Sequence, residues 1–235
     1  MIATAINAAA ILFGGSIGLI FKSKIPKRFL EIVMLALPFA VAVIGITGAI
    51  ATEDLLGMIL CLVFGSIMGE ALRIESRLNG FGEKLKNRVA KNGDNSGFTD
   101  AFVTSSLLFC VGSLAIVGSL EAGISGNYSI LLSKSLLDGI TSISFAATMG
   151  YGVLFSALPL FIYQGAITLL AGLLSPIFGS DVIREMSAVG GVLIMALSVN
   201  MLDLREKKIP IGNMLPAILL PIAYQPLVKW LTSLI

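Results

Sequence analysis

The apolar residues of this sequence fall into runs of about 20, the length an α-helix needs to cross the hydrocarbon of a bilayer. The runs cover roughly 3–21, 29–50, 55–72, 100–121, 129–148, 150–175, 182–202 and 210–234. An ordinary soluble domain is about a quarter charged. This chain of 235 residues is 13% charged and 56% hydrophobic, with a mean hydropathy of +0.96. It lacks the polar surface that a water-soluble core of its size requires. The sequence predicts an all-α fold, a polytopic membrane bundle of about eight transmembrane helices forming one integral membrane domain over 1–235. The first run has no basic flank of the kind that marks a signal peptide, so it reads as a permanent helix. Residues 73–99 are polar, first an amphipathic segment to about 91 and then a loop. That segment is expected to lie along the cytoplasmic surface against anionic lipid.

Basic residues set the orientation. Lys22, Lys24, Lys27 and Arg28 fill the first loop without an acid. Arg73, Arg77, Lys84, Lys86, Arg88 and Lys91 fill the long third loop, and Arg205, Lys207 and Lys208 crowd a short one near the C-terminus. The positive-inside rule places 22–28, 73–99 and 203–208 in the cytoplasm. Residue 122 then lies outside and residue 150 inside, so the segment 129–148 has to cross, and both termini fall outside. The net charge of +2 is too small to suggest a nucleic-acid partner; the expected partners are the lipid bilayer and a small ion or polar solute.

An internal repeat agrees with this count. INAAAILFGG (6–15) lies over YQGAITLLAG (163–172), matching Asn7 with Gln164, and FLEIVMLALPFAVAVIG lies over VIREMSAVGGVLIMALS, matching Glu31 with Glu185. Helices one to three (1–72) thus correspond to helices six to eight (150–235), with 100–148 supplying the central helices. Each helix is offset from its counterpart by five, an odd number, so the copies point in opposite directions. Inverted repeats around a midplane site are a recurring plan in transporters.

Two charged residues stand inside the segment 129–148. A carboxylate near the centre of a membrane helix costs about 2.5–3.5 kcal/mol on insertion scales and normally faces protein or a water-filled cavity. Asp138 is such a carboxylate; Lys134 lies at i−4, and Thr141 and Ser142 continue the same face. The face reads either as the wall of a site for an ion or polar solute, or as a Lys–Asp pair that neutralises itself and locks helices together. Lys134 is also near enough to the outer end to snorkel. Glu121 ends the fourth helix in VGSLAIVGSLEAGISGN, whose Gly112, Ser113, Gly118 and Ser119 allow local unwinding or close packing. Asn7, Gln164 and Asn200 are further intramembrane polar groups that either bridge helices or touch a substrate. Glu70 is expected at the cytoplasmic interface.

Enzymatic readings fail on motif. GGSIG (14–18) fits G-x-S-x-G in letters, but the chain contains no histidine to serve as base. No metalloprotease, phosphate-loop or dinucleotide fingerprint is present. Cys61 and Cys110 sit in apolar runs as small hydrophobes, with no disulfide framework or zinc spacing. No enzyme activity and no cofactor are expected, and the sequence names no metal.

INAAAILFGGSIG, GSLEAGI, KSLLDGITSISFAATMGYGVLFSALPL, YQGAITLLAG and AVGGVLI together resemble the YqgA/YdfK-like family of uncharacterised bacterial inner-membrane proteins, along essentially the whole chain. The resemblance implies a multi-pass protein of the bacterial cytoplasmic membrane, with a suggested sodium channel or pump activity and a link to biofilm formation. It supplies no active site. The function expected from the residues is a transporter or channel for a small cation or polar solute with Asp138 at its site; the alternative is a non-transporting scaffold or regulator. The glycine faces leave room for a homodimer.

Overall fold

The computed structural model describes residues 1–22, 24, 26–89, 97–203 and 206–232. Lys91 and Arg205, used above for orientation, lie outside the described residues, as does most of the loop that follows the amphipathic segment. Every regular element among the described residues is helical. Five helical segments are long and apolar enough to cross a membrane, and seven if each of two bent pairs counts as one span; Leu35–Ala49 is a shorter apolar stretch. The all-helical membrane fold therefore stands.

The chain forms two compact units whose sequences interleave. The first comprises Met1–Leu37, Leu78–Cys110 and Leu114–Gly172. Its elements are α1 (Ile2–Lys22), the start of α2 (Lys27–Ala49), most of α4 (Ile74–Val89), α5 (Phe98–Cys110), α6 (Ser113–Ile124), α7 (Ser129–Met149), α8 (Gly152–Phe155) and α9 (Ala157–Leu169). Of these, α1 packs most extensively against α7. Asn7 meets Asp138, Gly14 meets Gly139 and Ser142, and Gly18 meets Ile143 and Ala147, so the two helices run parallel. Against α8 and α9 the order reverses, with Gly15 on Leu154, Asn7 on Gln164 and Met1 on Gly165.

Gly14 permits the α1–α7 approach, because a methyl there would overlap the Gly139 carbonyl oxygen and Ser142 Oγ. Small residues at such crossings let membrane helices pack closely where burial from water supplies no drive. Between α5 and α6 the chain bends by 58°, at Gly112, whose φ of +126° suits a residue without Cβ. In α4, Gly80 has nothing near it. Gly80→Ala is therefore expected to raise stability by about 0.5–1 kcal/mol through helix propensity, read by thermal unfolding in detergent.

The second unit comprises Pro38–Arg77, Val111–Ser113 and Leu173–Ile235. It holds the rest of α2, α3 (Leu55–Ala71), the second half of α10 (Ala171–Leu174), α11 (Ser180–Met201), α12 (Ile211–Met214), a 3-10 turn (Leu215–Ile218) and α13 (Pro221–Thr232). Gly45 meets Met195 and Gly48 meets Gly191, so α2 and α11 run antiparallel. Gly57 meets Tyr224, Gly65 meets Ala217 and Gly69 meets Asn213, so α3 runs antiparallel to the 211–228 segment. That segment is no regular helix: it passes into a 3-10 turn at Pro216 and into α13 at Pro221, each of which lacks an N–H donor and crowds the preceding turn. At the other end of α3 the chain bends by 59° into α4, through Arg73 with φ of +51°.

Candidate functional site

Three helices of the first unit bring four of the sequence-selected residues together. Lys134 Nζ lies 2.5 Å from Asp138 Oδ2 on α7. Asn7 Nδ2, from α1, donates to the same Asp138 oxygen at 3.1 Å and to Gln164 Oε1, from α9, at 3.2 Å. All four side chains are buried; Asn7 and Gln164 have no exposed surface and Asp138 is 7% exposed. The i, i+4 spacing on α7 stacks lysine over aspartate, while the close α1 crossing at Gly14 carries Asn7 within reach of the carboxylate. Asp138 lies nine residues into α7, about 14 Å at 1.5 Å per residue, so the cluster sits deep between the helix ends.

The geometry fixes the amide orientations. An ionised carboxylate only accepts hydrogen bonds, so Asn7 presents its NH2 to Asp138. Gln164 must then turn its oxygen to that same NH2, which leaves Gln164 Nε2 and Asn7 Oδ1 without a partner among the described residues. Thr4, Ser119 and Thr168 also carry buried hydroxyls without a partner among the described residues. Sequence reasoning had singled out none of these three as a site residue. Thr4 and Thr168 lie one helical turn from Asn7 and Gln164, the spacing that could have marked them.

The remaining candidates are elsewhere. Ser142 is buried on the α7 face against Gly14, but its hydroxyl donates to the Gly139 carbonyl at 2.7 Å. Thr141 is half-buried, and no hydrogen bond links it to the cluster among the described residues. Glu121 accepts from Asn127 Nδ2 at 3.1 Å and shapes the turn after α6. Asn200, in the second unit, exchanges two bonds with the Ile209 backbone, at 2.9 and 2.8 Å, and closes the turn after α11. An open groove of about 430 Å³ between α1 and α7 is lined by apolar side chains such as Phe13, Leu136 and Ile140 and includes none of the candidate residues.

The second unit has its own polar contacts. Glu185 is buried and accepts from Thr52 Oγ1 at 2.5 Å and the Glu53 N–H at 3.0 Å, tying the α2–α3 turn to α11. Arg184 pairs with Glu53 at 3.0 Å. Glu31, aligned with Glu185 in the repeat, is exposed. Glu70 accepts from Asn213 Nδ2 at 2.6 Å, and Asn213 Oδ1 takes the Glu75 N–H at 2.7 Å. Asn213→Ala would remove both bonds and is expected to lower stability by about 1–3 kcal/mol, again read by thermal unfolding.

Comparison with known proteins follows the same lines. The sequence profile described as "Protein of unknown function (DUF554)" matches residues 2–225. The "Uncharacterized membrane protein YdfK" of Bacillus subtilis (strain 168) is 37% identical over 227 residues, covering 94% of each chain. The "Uncharacterized protein YqgA" of Escherichia coli (strain K12) is 32% identical over 218 residues, covering 92% of each. No solved structure matches. With a family profile spanning nearly its whole length, and a relative that is a membrane protein by name as this chain is by composition, the chain belongs to the DUF554 family.

Proposed function

We propose that the protein is a multi-pass transporter or channel of the bacterial cytoplasmic membrane for a small cation or polar solute, with Asp138 at its site, and not an enzyme. One observation carries the reading: a charged pair and two carboxamides from three helices meet deep between the helix ends, with unpaired polar groups beside them. Intramembrane ionisable residues facing the bundle interior mark substrate and ion pathways. The scaffold reading draws on the completeness of the Lys134–Asp138 pairing, but it gives the unpaired carboxamide and hydroxyl groups no role.

The chain directions support eight crossings and an inverted repeat. Helix one pairs antiparallel with helix six through Asn7 and Gln164, which the repeat aligns with each other. Helix two pairs antiparallel with helix seven, and helix three with helix eight. Cysteine labelling from the periplasmic face, with Cys61 and Cys110 replaced, tests the topology: Gly126→Cys is expected to label and Lys207→Cys not. The reverse pattern contradicts it. The function itself is tested by flux into liposomes containing the purified chain. Uptake of a labelled solute above protein-free vesicles, saturating with concentration, is expected; its absence across ions, amino acids and dicarboxylates favours the scaffold.

A further inference from the structure

The buried charges of the first unit, among the described residues, are Lys134 and Asp138, and they cancel. Among the described residues the same unit holds six buried polar atoms without a partner: Ser105 Oγ on α5, and Thr4 Oγ1, Asn7 Oδ1, Ser119 Oγ, Gln164 Nε2 and Thr168 Oγ1. Asn7 and Thr4 lie on α1, Gln164 and Thr168 on α9, and the Asn7–Gln164 bond joins the two helices. Thr4 stands one turn before Asn7 on α1, and Thr168 one turn after Gln164 on α9. Because α1 and α9 are antiparallel and joined by the Asn7–Gln164 bond, both threonines fall on the same side of that bond. Gly123 of α6 abuts the Thr168 carbonyl and Ala171. Ser119 lies one helical turn before Gly123 on α6, next to Gly118, which meets Ile130 and Leu131 of α7. Ala3, Ala122 and Leu131 pack together at the level of the threonines and bring α1, α6 and α7 to one place.

Polar groups left unpaired in a membrane interior are expensive, since neither water nor lipid tails offer a bond. Here, on α1, α6 and α9, one obligatory donor, one obligatory acceptor and three hydroxyls able to act either way are left without a partner among the described residues. We infer that this set binds the polar part of a small solute of zero net charge, either uncharged or zwitterionic, in preference to a bare cation. The inference rests on the transport reading and names the solute class for the same site. A cation without its counter-charge would add an uncompensated positive charge beside Lys134 in a medium of low dielectric. A net-neutral solute leaves the balance at zero and satisfies the idle donors and acceptors. A zwitterion could also present its ammonium to Asp138 and its carboxylate to Lys134.

The test is thermal unfolding of the purified full chain in detergent with serine, asparagine or glycerol, and with sodium or potassium chloride against choline chloride at equal ionic strength. A ligand that binds the native state raises the Tm in a saturable way. A saturable rise is expected with at least one neutral solute and none specific to sodium or potassium. Gln164→Leu and Thr168→Val are expected to weaken that response about tenfold or more. Thr168→Val removes an unpaired hydroxyl at nearly constant shape, so its solute-free Tm should equal or exceed that of the native chain; a lower one assigns Thr168 to structure and overturns its place in the site. Saturable stabilisation by one alkali cation, lost in Asp138→Asn, with the neutral solutes inert, overturns the inference and leaves the transport reading standing. No shift with any probe also overturns it, while vesicle flux decides the transport reading separately.

Discussion

Asp138→Asn is expected to lower folding stability by about 3–5 kcal/mol, the usual loss when one member of a buried ion pair is removed. Lys134 is 5% exposed and its ammonium lies against the Asp138 carboxylate. Once that carboxylate is neutral, the lysine is left in the interior with no counter-charge at hand, and the Asn7 amide loses its charged acceptor. Lys134→Met should be damaging for the mirror-image reason. The double variant, Lys134→Met with Asp138→Asn, is expected to recover most of the loss, because replacing both charges removes the uncompensated one. Thermal unfolding of the four proteins gives the coupling directly. Additive losses in the double variant would mean that the two side chains do not act as a pair.

A second large loss is expected at Gly14→Leu, about 3 kcal/mol or more, at the upper end of what overpacking costs. The obstacle is backbone: the added Cβ would overlap the Gly139 carbonyl oxygen, which cannot rotate away as a side chain can. Relief requires α1 and α7 to separate, which also pulls Asn7 from Asp138. Gly139→Ala, at the same crossing, meets its nearest atoms, those of Ala10, at 3.3 Å and should cost far less. Equal losses at the two glycines would show that the α1–α7 approach does not depend on Gly14.

The membrane fold was legible because hydrocarbon imposes a length and a composition on every span. The 130s face of α7 was legible too, since a carboxylate in such a run is costly enough to need a reason. Asn7 and Gln164 came through the repeat alignment, and the structure bonds them to each other. Thr4, Ser119 and Thr168 were not legible as site residues: hydroxyls in helices usually bond back to their own turn, as Ser135 does to Leu131, and only tertiary context shows which ones fail to. Nor was the interleaving of two units, because one apolar helix face is much like another when no water distinguishes partners. Asn200 and Glu121 carried the same polar signal as Asn7, yet they close turns at helix ends. Position along the span separates the two kinds. Both lie at the ends of their helices, and Asp138 lies near the middle of its own.

The central claim is that Asp138 belongs to a solute pathway, and solute flux through liposomes containing the native chain or the Lys134→Met, Asp138→Asn double variant tests it most directly. The double variant is the right comparison because its stability is expected to stay near that of the native chain, so lost flux cannot be blamed on lost folding. Saturable flux is expected with the native protein and none above protein-free vesicles with the variant. Undiminished flux in the variant would contradict that claim.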